Sequence, residues 1–96
     1  MSKRLFAVVL TDEQEKGATA IQAAFDDRDI YLVDGNTFVV AHEGLTRDVA
    51  KDAGIFRNSE GDPGDVAGVV FKLNGSYTGF SRPSLWEWLE EAEKST

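Results

Sequence analysis

The residues able to do chemistry are few and stand apart. Asp12 comes just after an unbroken apolar run, Leu5–Leu10, LFAVVL. A carboxylate past the end of a sheet strand is placed to ligate a divalent cation, here Mg²⁺ shared with its twin across a dimer axis. The same position suits an ordinary helix-start residue, because the helix dipole favours negative charge there. His42 is the one histidine and has Glu43 beside it. An imidazole can serve as a general base near neutral pH. No serine, cysteine or second carboxylate is tied to it by local spacing, so a packing role is expected.

Two further stretches invite a chemical reading. Glu60-Gly61-Asp62-Pro63-Gly64-Asp65 is rich in carboxylates but lacks the alternating oxygen ligands and closing glutamate of an EF-hand. It reads as a solvent loop. The glycines form neither G-x-G-x-x-G nor a phosphate-binding loop, so no nucleotide and no other cofactor is expected. Tyr77, Phe80, Trp86 and Trp88 crowd one stretch near the end of the chain. Aromatic side chains dominate the centres of protein interfaces but also fill cores. We expect these four to form a protein interface.

Composition narrows the function. The 17 acidic and 10 basic side chains give a formal charge of −7, and the basic ones are scattered, Lys3-Arg4 being the one adjacent pair. Nucleic-acid binders usually cluster their positive charge, so a nucleic-acid partner is not expected. With no cysteine, disulfides and thiolate metal sites are excluded. No apolar run approaches the ~20 residues of a membrane span, and Lys3-Arg4 precedes no signal-peptide pattern. The chain reads as a cytoplasmic protein, and 96 residues make a single domain over positions 1–96.

The elements that must position these residues follow from patterning. Leu5–Leu10 does not alternate, so both its faces should be buried, as in a central strand. Thr11-Asp12-Glu13-Gln14 fits a capping box with Thr11 at the N-cap, and Ala18, Ile21, Ala24 and Phe25 continue a helix of about four turns up to Asp26-Asp27. Ile30–Val33 and Phe38–Ala41 flank a Gly35-Asn36 turn of the II′ type. That register puts Val33 opposite Phe38 and Tyr31 opposite Val40, with Ile30, Leu32, Val39 and Ala41 on the other side. Thr46 opens a second helix, Leu45 is placed to staple against Ala50, and Gly54 is a left-handed C-cap. In the loop 56–65, Asp62–Asp65 reads as a type II turn with Gly64 at positive φ. Val66–Phe71 is another two-faced strand. Asn74-Gly75 turns into a short extended piece, Ser76–Phe80. Ser84 and Glu87 cap a last helix whose stripe is Leu85, Trp88, Leu89 and Ala92, with Trp86 off it.

This order, β-α-β-β-α-β with an extra short strand and a C-terminal helix, is that of an α+β, ferredoxin-like antiparallel sheet. Two crossover helices cover one side of such a sheet. The other side is also apolar and needs its own cover, from the C-terminal helix, from a second copy, or from both. Symmetric pairing is the common solution, so a homodimer is expected.

With its N-G-S-Y-T-G-F piece at 74–80 and its S-L-W-E-W-L helix at 84–89, the chain resembles small bacterial proteins of the CRISPR adaptation-subunit and VapD-like group. The resemblance implies ferredoxin-like homodimers in which the extended piece adds to the partner's sheet edge. Nuclease members of that group carry an aspartate at the end of the first strand. Asp12 is the nearest match, with Thr11 interposed and no aromatic before it.

Together these readings favour a small acidic, homodimeric, non-catalytic protein-interaction module of bacterial or phage origin. The alternatives are a Mg²⁺-dependent nuclease using Asp12 and a phage-type inhibitor whose carboxylates imitate DNA phosphates.

Overall fold

The computed structural model describes residues 3–73 and 83–94. Four strands, β1 (Arg4–Asp12), β2 (Ile30–Asp34), β3 (Thr37–His42) and β4 (Ala67–Lys72), form one open antiparallel sheet in the order β2-β3-β1-β4. Helix α1 (Gln14–Ala24) follows β1, α2 (Thr46–Asp52) follows β3, and α3 (Pro83–Lys94) comes last. This is an α+β chain. No helix among the described residues is long and apolar enough to cross a membrane.

The unbroken apolar run lies in the centre of the sheet, as its lack of alternation requires. Phe6, Val8 and Leu10 point to one side, where they meet Phe38 and Val40 of β3 beneath Ile21 and Phe25 and the α2 residues Val49 and Ala50. Phe6, Val8, Leu10, Ile21, Val40 and Val49 are completely buried. Leu5 points to the other side and joins Val39 and Ala41 under Leu85 and Leu89 of α3. The second side therefore has its own small core, and the C-terminal helix supplies its cover.

Local geometry departs from the sequence reading in five places. Thr11 is not an N-cap: β1 runs on through Asp12, which pairs with Ala67 beyond a bulge. Glu13 takes the cap position in left-handed conformation (φ 50°) without a side-chain cap, and the Asp12 carboxylate accepts its N–H at 2.9 Å. Continued pairing with β4 thus outcompetes the capping box, and the helix has three turns. In the hairpin, Asp34 faces Thr37 as expected, but a register shift between Leu32 and Asp34 sets Leu32 opposite Phe38 and Tyr31 opposite Val39. Such a bulge moves every upstream residue by one position. Tyr31 and Val33 thereby join the α3 side, and Ile30 turns to the α1–α2 side.

At α2, Leu45 rather than Thr46 is the cap residue. Its N–H is held by the Asp48 carboxylate at 2.8 Å, and its side chain is 61% exposed instead of stapled to Ala50. Gly54 does end α2 at φ 86°. Gly54 N–H donates to Lys51 and Ile55 N–H to Ala50, which is the Schellman closure. In the following loop Gly61, not Gly64, has positive φ (89°). Gly64 instead donates its N–H to Ile55 at 2.8 Å, so close to the end of α2 that a Cβ there would collide with the Gly54 carbonyl. Lastly, Pro83 occupies the first position of α3, which suits a residue lacking an N–H. Ser84 already lies inside the helix, and its hydroxyl bonds the Tyr31 hydroxyl at 2.6 Å. The extended piece Ser76–Phe80, with Tyr77 and Phe80, lies outside the described residues.

Candidate functional site

Asp12 sits exposed at the end of the central strand, its carboxylate engaged by the adjacent Glu13 N–H. Among the described residues no group of three or more histidine, cysteine, aspartate or glutamate side chains converges as a metal site. The side-chain amide of Asn58 ties the acidic loop together. Asn58 Oδ1 accepts from the N–H groups of Glu60 and Asp62 at 3.0 and 3.3 Å, and its Nδ2 donates to Asp62 Oδ2 at 2.8 Å. An antiparallel bridge between Phe56 and Pro63 closes the loop at its base.

His42 is held from three directions. Its Nδ1 accepts the Gly44 N–H at 2.8 Å, and Nε2 lies 3.6 Å from the Asp52 carboxylate. The ring meets Phe25 and Phe6 edge-on at centroid distances of 5.4 and 6.4 Å. Acceptance at Nδ1 leaves the proton of a neutral ring on Nε2, facing Asp52. Among the described residues no serine is bonded to the ring, which acts as a strut between the end of β3, the end of α1 and α2.

The described aromatics of the C-terminal stretch divide. Trp88 Nε1 donates to the Arg28 carbonyl at 3.1 Å, and its ring lies 6.0 Å from that of Tyr31. Trp88 therefore fastens α3 to β2 and to the 3₁₀ turn Asp27–Asp29. Trp86, placed off the stripe by its spacing, is half-buried against the cluster beneath α3.

Two surfaces among the described residues stand out as able to meet another molecule. The first lies on the α3 side of the sheet, toward β4. Ala7 pairs with Phe71 and Val9 with Val69. Phe71 is 56% exposed and Val69 46% exposed, with Ala7 and Val9 half-buried between them and the covered core. The unbroken apolar pattern of both strands signalled this strip, because it demands more cover than one helix gives. The second is an open groove of about 940 Å³ between α1 and the loop after α2. Lys16 of α1, Lys51 of α2 and Arg57 of the loop reach it over a floor that includes Ala20, Ala23, Phe56 and Val66; Glu15 and Asp65 also line it. No linear pattern reveals this cluster, since its cations are separated by 35 and 6 positions in a chain of scattered basic residues. No protein-family model matches the chain, and no curated protein and no solved structure matches it either.

Proposed function

We propose that this chain is a non-catalytic, homodimeric protein-interaction module built on a ferredoxin-like βαββαβ frame. The single observation that supports this most is the exposed pair Val69 and Phe71 beside Ala7 and Val9. Large apolar side chains grouped in this way on a small acidic protein mark a contact surface. A second copy is the economical occupant, because a strip laid on its own copy across a two-fold axis needs no other partner. Trp86 adds half-buried aromatic surface to the same side of the sheet. Of the aromatic residues near the end of the chain this reading keeps Trp86, whereas Trp88 is engaged by Arg28 and Tyr31 at the β2 edge; Tyr77 and Phe80 lie outside the described residues. The chain order and the strand order β2-β3-β1-β4 support the ferredoxin-like frame, in which two crossover helices share one side of the sheet.

Sedimentation equilibrium tests the reading. The wild-type chain is expected to be a dimer at micromolar concentration. Val69→Asp combined with Phe71→Asp is expected to be monomeric, with an unchanged circular dichroism spectrum. A wild-type chain that stays monomeric at high micromolar concentration overturns it.

A further inference from the structure

We propose that the open edge of β4 pairs with β4 of a second copy, antiparallel about a two-fold axis at Val70, so that two sheets join into one. This rests on the reading of the chain as a homodimer and says how that dimer is built. Three observations carry it. First, β4 ends the sheet: the order is β2-β3-β1-β4, and among the described residues no strand lies beyond it. In an antiparallel ladder, alternate residues turn both backbone groups to the same neighbour. Leu73, just past β4, donates its N–H to Leu5, and the register carries that pairing back through Phe71–Ala7 and Val69–Val9. Leu10 accordingly donates its N–H the other way, to Asn36. Gly68, Val70 and Lys72 therefore aim N–H and C=O outward from the sheet, the template for a further strand.

Second, this edge lacks the usual guards against pairing. β4, AGVVFK, contains no proline, and its one charge, Lys72, stands at its last position. Its register with β1 shifts only beyond Leu10, at the Ala67 end. An open groove of about 370 Å³ between α2 and β4 leaves Gly68, Val69 and Val70 within reach. Third, the strand is complementary to itself. With Val70 opposite Val70, the two valines exchange a pair of hydrogen bonds, and Gly68 does the same with Lys72 of the second copy. All three outward residues are then satisfied. Val69 falls opposite Phe71 of the second copy in the closer, non-hydrogen-bonded kind of pair, a favourable match of β-branched and aromatic side chains. The two exposed strips thus meet side by side. Lys72 faces Gly68, which has no side chain to obstruct it. Symmetry supplies this match from a second copy without any other partner.

The test is amide hydrogen exchange of the full-length ¹⁵N-labelled chain, followed by NMR above and below the dimer midpoint found by sedimentation. Gly68, Val70 and Lys72 are expected to exchange at least ~10-fold more slowly in the dimer, while Val69 and Phe71, already bonded to β1, change less. Because the chain has no cysteine, introduced thiols report the register. Val69→Cys mixed with Phe71→Cys is expected to cross-link on oxidation, and Val69→Cys alone to cross-link little. A dimer whose three outward amides exchange as fast as in the monomer overturns edge pairing and leaves the dimer reading standing. A chain that stays monomeric at high micromolar concentration overturns both. Slow exchange at these amides in a monomer, or cross-linking of Val69→Cys alone as complete as in the mixture, also overturns the pairing.

Discussion

His42 shows how a residue type that suggests catalysis can be held by packing. Its two nitrogens are engaged by Gly44 and Asp52, and two phenylalanines meet its ring. An edge-on aromatic pair contributes roughly 0.5–1.5 kcal/mol and a hydrogen bond about 1 kcal/mol. His42→Ala is therefore expected to lower unfolding stability by about 2–3 kcal/mol, measured by urea denaturation, while dimerisation of the folded fraction is unchanged. Asp12 gives the complementary test. A non-catalytic module is expected to leave RNA and DNA intact in Mg²⁺ or Mn²⁺. Cleavage that disappears in Asp12→Ala would replace that reading with a nuclease. At this scale the sequence showed which residues were candidates, and the isolation of His42 from any nucleophile pointed to packing. It did not show the Asn58 bonds in the acidic loop, because they link groups whose spacing matches no recurring motif.

At the scale of the element, α3 is the most informative. A helix of 12 residues is marginal alone in water, so it depends on what it covers. Leu85 and Leu89 are buried, and the Trp88 indole and the Ser84 hydroxyl tie it to the 3₁₀ turn and β2. Leu89→Ala is expected to cost about 2–4 kcal/mol, and Trp88→Phe about 1 kcal/mol through the lost hydrogen bond. Both should raise amide exchange within α3 before they affect β1. The stripe of α3 was legible from i, i+3, i+4 spacing, and the central position of β1 from its unbroken apolar run. Hairpin register and the start of α1 were not legible. Each depends on a bulge, and a bulge is settled by competition among neighbouring strands, which no local residue pattern records.

Across the whole molecule, charge and apolar surface pull in opposite directions. Two chains each carrying −7 repel, so the proposed dimer would have to draw on apolar burial around Val69 and Phe71. Raising NaCl from about 50 to about 500 mM screens that repulsion. Self-association is expected to tighten severalfold over that range, measured by sedimentation equilibrium. The closed loop after α2 also has a practical consequence. Because the Phe56–Pro63 bridge seals its base and Gly64 admits no side chain, a reporter sequence grafted between Ser59 and Glu60 should ride outside the clasp and spare the sheet. The same graft at Gly64 would prise the loop from the end of α2, marking where this scaffold accepts new cargo and where it does not.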